Sequence, residues 1–401
     1  MAEHKVLLIS QVFYPDEVAV ANLFTNLSSV LAKNGWEIDV WCAQPSYSSK
    51  RLQPRTILYE GIKINYLRST HFPKSNFAGR IVNFFTFSIC VTGRLLFTKD
   101  KTQVVSHTTP PFLAILIAFL CHIKARRFIY ILMDVFPDGL IRLGRVSSGN
   151  IFIKMWLSLH LAALKRCSRI VVIGRDMRKW LTDFYPEGKE KVEYIPLWQN
   201  AELIKPIDFK DNPFVSSHHL NGYFVVQFSG NMGLWNEMET LGGAINRNIK
   251  DVLFLLIGDG IRKNELLNSI NDPKASNIIF CPFQTNENYS FSVSACHVAL
   301  VSLRDGLEGM AVPSKIYGIM AAGIPVIAMV PNHSEIAYIV EEENCGYVIH
   351  SSDCEGLILA IKELQSDRDL CKRLGENGRD AFLRKYTTEI AAEKFNLLLS
   401  S

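Results

Sequence analysis

Short apolar runs, rich in β-branched residues, alternate with longer amphipathic stretches along the chain. In the first half these runs predict strands at 6–10, 37–43, 62–67, 104–108, 127–134, 169–174 and 192–196. The pattern restarts after a polar interval and predicts strands at 223–230, 252–258, 277–281, 298–303, 324–329 and 347–349. Amphipathic stretches such as 18–35 and 150–168 predict helices between strands. Continuous apolar strands that alternate with helices are typical of parallel sheets covered on both faces.

The polar interval at 196–214 contains three prolines and has the composition of a linker. A chain of 401 residues is long enough for two ordinary domains. We therefore predict two doubly wound, Rossmann-like α/β domains, 1–197 and 198–385, facing each other across a cleft. We expect the last helix, 386–401, to pack back onto the first domain. Ligands of such sheets bind at the carboxyl ends of the strands, so the cleft is the expected site, and domain motion is expected with it.

Charge and cysteine content exclude several classes of protein. The formal charge of +4 gives no indication of a nucleic-acid-binding protein. The nine cysteines are scattered, form no CxxC pair and mostly lie in apolar runs. They are typical of reduced core residues in a cytoplasmic protein, so we expect neither a disulfide framework nor a metal site. The apolar run in the N-terminal sequence MAEHKVLLIS is too short for a signal peptide, so we expect none.

Two apolar segments leave two interpretations open. Segment 81–97 contains Arg94, and segment 110–124 has only about a dozen apolar residues, fewer than the roughly 20 that a spanning helix needs. Both fit buried helices of an α/β domain. Both also fit surface helices that enter a membrane interface. Because the basic residues Lys124, Arg126 and Arg127 lie nearby, we expect peripheral contact with the inner face of the plasma membrane.

Four loops in the second half follow predicted strands and should line one rim. Backbone N–H groups at a glycine turn that opens a helix can bind phosphate, although a single such turn is also an ordinary tight turn. Pro313 suits the first turn of a helix, which would leave the N–H groups of Ser314 and Lys315 free, and Lys315 adds a positive charge. The candidate donor-binding residues are Gly230, Asn231 and Gly233, then Gly258, Asp259 and Lys263, then Pro282 and Phe283, and finally Glu308, Pro313, Ser314 and Lys315.

The run PSKIYGIMAAGIPVIA, preceded by SGNMG, IGDG and CPFQ, resembles the retaining glycosyltransferases of family 4, which have the GT-B fold. The resemblance covers essentially the whole chain and is strongest to the bacterial branch that builds surface polysaccharides such as O-antigen and capsule. It implies a UDP- or GDP-linked sugar donor bound by the C-terminal domain. It also implies a glycan or polyprenyl-diphosphate-linked sugar as acceptor, retention of anomeric configuration, and no metal or other cofactor.

The resemblance also assigns roles in the first domain. The segment MDVFPDGLIRLG, 133–144, is similar to the acceptor-domain loop of the family, with Met133 where a histidine is common. We expect Asp134 and Lys315 to be catalytic, although Asp134 also suits a turn or helix N-cap. The acceptor-side residues implied by the same resemblance are Tyr14, Pro15, Glu17 and Asp138.

The chain departs from the family pattern at two places. The usual pair of glutamates is absent, because Met310 and Gly318 occupy their positions and only Glu308 lies near the first. The arginine and lysine of the first phosphate loop are replaced by Asn231 and by Asn236 or Glu237, so Lys315, with Arg304 or Lys263, must supply the positive charge. A sugar-nucleotide 2-epimerase and a non-catalytic glycosyltransferase-like subunit remain as alternatives.

Overall fold

The structure, a computed structural model, describes residues 4–45, 52–72 and 77–401. The chain divides into two compact units. The N-terminal unit comprises Met1–Pro196 together with Thr388–Ser401, and the C-terminal unit comprises Leu197–Thr387. Each unit is an α/β layer structure built around its own sheet.

The N-terminal unit contains eight strands and seven α-helices in its described residues. Its strands are β1 Lys5–Ile9, β2 Glu37–Ala43, β3 Thr56–Tyr59, β4 Ile62–Leu67, β5 Gln103–His107, β6 Phe128–Leu132, β7 Arg169–Val172 and β8 Val192–Tyr194. Its helices are α1 Ala19–Lys33, α2 Phe77–Phe97, α3 Leu113–Ile123, α4 Asp138–Arg142, α5 Ile151–Arg166, α6 Arg175–Phe184 and α15 Thr388–Ser400, and a 3-10 helix covers Pro186–Lys191.

The N-terminal sheet has the order β3-β4-β2-β1-β5-β6-β7-β8. Every pairing is parallel except β3 with β4, which is antiparallel. Helix α15 packs on α1, where Trp36 Nε1 donates to Asn396 Oδ1 at 2.8 Å and Arg127 donates to the Leu398 carbonyl at 2.6 Å. The C-terminal residues are therefore an integral part of the N-terminal unit.

The C-terminal unit contains six strands and eight α-helices. Its strands are β9 Phe224–Ser229, β10 Val252–Ile257, β11 Ile278–Cys281, β12 Val298–Ser302, β13 Val326–Met329 and β14 Gly346–Ile349. Its helices are α7 Pro213–Ser217, α8 Glu239–Asn246, α9 Lys263–Ser269, α10 Asn286–Val293, α11 Lys315–Ala321, α12 Glu335–Glu342, α13 Cys354–Ser366 and α14 Arg368–Lys385, with a 3-10 helix at Phe209–Asp211.

The C-terminal sheet is wholly parallel, in the order β11-β10-β9-β12-β13-β14. Consecutive strands run outward from β9 in one direction and from β12 in the other, so the order reverses between these two strands. Ligands of doubly wound sheets bind at that point, beyond the carboxyl ends of the strands. The chain here runs from β9 into the first glycine loop and from β12 toward α11.

The predicted strands are all present, and the prediction of parallel, doubly wound sheets is confirmed. The sequence analysis missed β3, whose four residues alternate between exposed and half-buried positions and carry little apolar signal. The position predicted for Pro313 was wrong. Helix α11 begins at Lys315 with Ser314 as its N-cap, so Pro313 precedes the helix instead of lying in its first turn.

Candidate active site

The four glycine- and proline-containing loops of the C-terminal unit meet at Gly230 and Gly258. A Cβ atom built on Gly230 would lie 3.6 Å from Lys315 Cε, which belongs to the fourth loop. A Cβ atom on Gly258 would lie 2.2 Å from the Gly230 carbonyl oxygen and 3.3 Å from the ring of Phe283 in the third loop. Adjacent strands in the sheet order end here together, and this shared edge brings loops distant in sequence into contact.

The first two loops pack backbone against backbone. Met232 N donates to the Asp259 carbonyl at 2.9 Å, and Arg262 N donates to the Met232 carbonyl at 3.0 Å. Gly260 has φ +157°, and a Cβ atom there would lie 2.3 Å from the Met232 carbonyl oxygen. No side chain fits between loops held this closely, which is why glycines occur at 258 and 260.

Asn236 holds the first loop in shape. It is buried, its Oδ1 accepts from Gly233 N at 2.9 Å, and its Nδ2 donates to the Ser302 carbonyl at 3.1 Å. This residue replaces a cation of the family pattern, and its contacts show that it organises the loop and brings no charge. Asn231, by contrast, is exposed.

Lys315 carries the feature most suggestive of a ligand. Its Nζ atom is buried and has no hydrogen-bond partner among the described residues. The amine lies 3.6 Å from the ring centroid of Phe228, beneath Gly230. Burial lowers the pKa of this lysine to about 7, because the cationic form has lost water without gaining an anion. A diphosphate at the four loops would supply that anion.

The second loop carries two cations next to each other in the sequence. Arg262 is buried at the N-cap of α9, with Nε 2.6 Å from a Glu265 carboxylate oxygen. Lys263 Nζ lies 3.8 Å from Asp259 Oδ1. Arg262 and Lys263 therefore each lie within ion-pair distance of a carboxylate, although the buried Nη1 of Arg262 has no hydrogen-bond partner among the described residues. Of these two cations and Lys315, only Lys315 lacks such a carboxylate among the described residues.

The remaining predicted donor residues surround this centre less closely. Phe283 is exposed and touches Gly258, and Pro282 precedes it at the end of β11. Ser314 is exposed at the start of α11 and Pro313 is half-buried, as is Glu308 in the segment between β12 and α11. The structure thus brings the four predicted loops together but gives Lys315 the most distinctive environment.

Gly318 occupies one of the two glutamate positions of the family pattern, and the side chain of Tyr289 lies against it. A Cβ atom at Gly318 would lie 2.7 Å from the hydroxyl oxygen of Tyr289, which comes from α10. The tyrosine therefore fills the space that a glutamate side chain at position 318 would need. Tyr289 was not identified from the sequence, where nothing links α10 to α11.

The acceptor-side predictions fall on the corresponding edge of the N-terminal sheet. Asp134 follows β6, and its backbone N–H lies 3.4 Å from Thr108 Oγ1, which follows β5. Burial raises the pKa of the Asp134 carboxyl to about 6. Helix α4 begins four residues later with Pro137 as its N-cap, so Asp134 is not the cap of that helix. Asp138 is the first residue of α4, and burial raises its pKa as well.

His107 was missed by the sequence analysis and occupies the reversal point between β1 and β5. Its Nε2 lies 2.9 Å from Ser10 Oγ, and its Nδ1 accepts from Thr109 N at 3.3 Å. The Ser10 hydroxyl in turn donates to the Val12 carbonyl at 2.7 Å, so these contacts fit a neutral imidazole with its proton on Nε2. Burial lowers the pKa of His107 to about 4, consistent with that neutral form and with a role in holding these loops.

Tyr14 and the end of β4 form the other part of this edge. The Tyr14 ring stacks on Tyr59 at 3.8 Å, and its carbonyl accepts from the Tyr66 hydroxyl at 2.7 Å. Pro15 is half-buried and Glu17 is exposed on the same loop. An open cavity of about 680 Å³ lies beyond β4, lined by Arg68, Ser69, Thr70, His71, Phe72, Thr86, Ile89 and Cys90. This cavity combines basic and apolar lining residues.

The described residues contain no group of three or more His, Cys, Asp or Glu side chains placed to hold a metal ion. All nine cysteines are free thiols.

Comparisons with known proteins give the class. Residues 213–381 match the family model described as Glycosyl transferases group 1. The chain is 28% identical over 333 residues to the Pseudomonas aeruginosa protein named "Probable glycosyltransferase WbjE", a match covering 81% of this chain and 82% of that protein. These two findings support a glycosyltransferase.

Solved structures establish the fold of the whole chain. Sucrose-phosphate synthase from Thermosynechococcus elongatus aligns with a TM-score of 0.75 at 18% identity, over 99% of this chain and 98% of that one. HepE from Anabaena, in complex with UDP and glucose, aligns with a TM-score of 0.74 at 16% identity, over 99% of both chains. The chain has the GT-B fold, with two Rossmann-like regions, as the sequence analysis predicted.

Proposed function

We propose that this chain is a retaining glycosyltransferase of the family 4 type. It transfers a sugar from a UDP- or GDP-linked donor, without a metal ion, to a glycan or polyprenyl-diphosphate-linked sugar in surface polysaccharide biosynthesis. The observation that carries the proposal is the buried, unpartnered Lys315 amine beneath four converging loops. The WbjE relative and the UDP bound to HepE support a nucleotide-sugar donor.

The chemistry follows from where charge develops. The bond from the anomeric carbon to the donor phosphate oxygen breaks, and negative charge grows on the departing diphosphate. The Lys315 ammonium and the backbone N–H groups at the start of α11 stabilise that charge as it forms, whereas the N–H groups of Gly230 and Gly258 are already paired within the protein. Attack on the same face of the sugar retains its configuration, and the phosphate oxygen that leaves takes the proton of the acceptor hydroxyl. A strong protein base is then unnecessary.

Asp134 is the proposed acceptor-side residue. A carboxyl with a pKa of about 6 is mostly ionised at neutral pH, yet it is buried enough to make a strong hydrogen bond with a sugar hydroxyl. Its role is to orient the acceptor or the transferred sugar. The cavity beyond β4 suits an acceptor that is both apolar and anionic, since Arg68 and His71 line it together with Phe72 and Ile89.

The proposal is tested with a panel of UDP- and GDP-sugars in thermal unfolding of the purified protein. A ligand that binds only the native state raises the Tm with the logarithm of its concentration over Kd. We expect one nucleotide series to stabilise the wild type and to lose that effect in Lys315→Met. Absence of stabilisation by every UDP- and GDP-sugar would argue for a non-catalytic subunit. Conversion of the donor sugar to its 2-epimer without acceptor would establish the epimerase alternative instead.

A further inference from the structure

The three helices α2, α3 and α5 of the N-terminal unit form a continuous surface. Helix α3 packs between the other two. On one side the Phe112 and Trp156 rings lie 4.4 Å apart, and on the other Lys124 Nζ donates to the Thr98 carbonyl at 2.9 Å, just after α2. We call the outward side of these three helices the apolar helix face.

The apolar helix face exposes side chains that a water-facing helix normally lacks. These helices hold twelve of the twenty-four large apolar side chains exposed in the described residues. Phe85 is 61% exposed, Ile89 68% and Phe152 70%. Such side chains recur at helical spacing, so they form stripes: Ile81, Val82, Phe85, Ile89 and Leu96 on α2, Leu116 and Ile123 on α3, and Phe152, Met155 and Leu159 on α5. A contiguous surface of this kind marks an interaction site.

The part of the chain that contains these helices is predominantly basic. Residues 61–175 contain seventeen lysines and arginines but only three aspartates and no glutamate, although the whole chain has a net charge of only +4. Helices α2, α3 and α5 contain no acidic residue, while Arg80 and Lys154 are exposed near the amino ends of α2 and α5. Apolar stripes bordered by cations fit a bilayer surface with anionic headgroups.

The cations predicted from sequence to make this contact do not make it. Arg126 is buried, Arg127 donates to carbonyls of α15, and Lys124 donates to the Leu96 and Thr98 carbonyls. These residues hold the unit together, so the basic character of the face comes from other cations such as Arg80 and Lys154.

Helix α2 is suited to lie on a membrane instead of crossing it. Within the described residues, Ala78–Phe97 is a helix long and apolar enough to span, and 28% of it is buried. Its inner side, however, packs into the core through Phe87, Val91 and Leu95, all fully buried. It also connects β4 to β5, which belong to the same sheet. One side of the helix is therefore committed to protein, and only the outer side is free for lipid.

We propose that the apolar helix face docks this protein on an anionic lipid bilayer, with the stripes in the acyl–headgroup boundary and the cations against lipid phosphates. A second copy of the chain is a poorer occupant, because pairing two such faces would bring cations of the same sign together. The inference goes beyond the proposed function and does not depend on it. Ile89 also lines the cavity beyond β4, so docking would bring that cavity close to the lipid surface.

The test is co-sedimentation of the purified full chain with vesicles of phosphatidylcholine, alone or mixed with phosphatidylglycerol. We expect binding to the mixed vesicles to exceed binding to the neutral ones by about tenfold and to fall at high salt. Phe85→Ser with Ile89→Ser, and separately Phe152→Ser with Met155→Ser, should each lower the partition coefficient about tenfold. Leu359→Ser with Leu397→Ser is the matched control, since these leucines are 66% and 72% exposed elsewhere.

Charge is tested separately from apolar contact. Arg80→Gln with Lys154→Gln should reduce the preference for anionic vesicles several-fold, and Lys250→Gln with Lys274→Gln, two exposed lysines of the C-terminal unit, should not. Circular dichroism and urea unfolding verify that every variant is folded. Equal binding of the wild type to both vesicle types, or wild-type binding by both apolar variants, would overturn the proposal. Wild-type dimers that only the face variants dissociate would show a second copy as the occupant. Resistance to both high salt and alkaline carbonate would show an integral protein.

Discussion

The two units share one architecture but differ in what they place at the carboxyl ends of their strands. In the C-terminal unit these ends carry glycine turns that pack backbone on backbone, with Gly258 against Gly230 and Gly260 against Met232. In the N-terminal unit the same edge carries aromatic rings and carboxyls, including Tyr14 stacked on Tyr59 and the half-buried Asp134. One edge is therefore built from close main-chain packing, and the other from side chains.

This difference suits two kinds of ligand. A buried amine and the N–H groups at a helix start suit a diphosphate, which is the same in every UDP- or GDP-linked sugar. Side chains differ among enzymes and suit recognition of an acceptor, whose chemistry varies. The comparison predicts that changes in the C-terminal unit affect donor binding and leaving-group departure, whereas changes in the N-terminal unit affect transfer alone.

The largest effect is expected for Lys315→Met. The methionine fills the buried space but cannot neutralise a departing diphosphate, so kcat should fall about 10²–10³-fold. Lys263→Met is the matched control, because Lys263 already faces Asp259 at 3.8 Å, and it should lose much less activity. Steady-state transfer from the donor identified by thermal unfolding measures both. Wild-type turnover in Lys315→Met would remove this lysine from the mechanism.

The comparison is sharpened by Asp134→Asn in the N-terminal unit. Transfer should fall by about 10²-fold because a positioned, ionised group is lost, while nucleotide affinity stays close to that of the wild type. Asp138→Asn, a neighbouring carboxyl with a raised pKa, serves as the control. If Asp134→Asn instead abolishes nucleotide binding, the division of roles between the two units is wrong.

Gly258→Ala tests the packing of the glycine loops. The added Cβ would lie 2.2 Å from the Gly230 carbonyl oxygen, in a backbone conformation with φ +122°. We expect a loss of about 2–4 kcal/mol in the free energy of unfolding, together with weaker nucleotide binding. Gly306→Ala separates the two causes, because Gly306 has φ +75° but nothing within 4 Å of the new atom, and it should cost only about 1 kcal/mol. If Gly258→Ala and Gly306→Ala lose the same free energy of unfolding in urea, close packing of the loops is unimportant.

Lys315 should also contribute a pH dependence to the free energy of unfolding. Its pKa is about 7 in the folded protein, against an ordinary value of 10.5, so the unfolded chain binds this proton more tightly. The free energy of unfolding should therefore rise with pH between about 7 and 10.5 in the ligand-free protein. Lys315→Met should flatten this rise relative to the wild type. Identical pH profiles of urea unfolding for the two proteins would contradict the claim that the Lys315 amine is buried and unpaired.

Much of the fold was predictable because its strands are continuous apolar runs bounded by glycine, and such runs leave few alternatives. The edge strand β3 was missed because half-buried edge positions need no apolar pattern. The meeting of the four loops was predictable from glycine, proline and lysine near strand ends. The distinction between Lys315 and Lys263 was not, because it depends on which carboxylate lies within reach in three dimensions.

Other features depend on contacts between segments far apart in the chain. The tyrosine that fills the space beside Gly318 comes from another helix. His107 contacts Ser10 at the end of another strand and Thr109 just after its own strand, and no local motif marks it. The basic segment at 124–127 resembles a lipid-binding cluster in the sequence. In the structure, however, Lys124 and Arg127 donate hydrogen bonds to carbonyls of residues distant in the chain. Hydrophobic periodicity predicts which residues are buried, but it does not predict which residues they contact.

The central claim is that the unpaired Lys315 amine binds the diphosphate of a nucleotide-sugar. Calorimetric titration of UDP and GDP at pH 8, in buffers with different ionisation enthalpies, tests it most directly. In the free protein a lysine with a pKa of about 7 is mostly neutral at that pH, and a bound diphosphate would favour its cationic form. The account predicts that one nucleotide binds the wild type with uptake of about one proton, and that Lys315→Met takes up none. Tight binding with the same proton count in both proteins would contradict it.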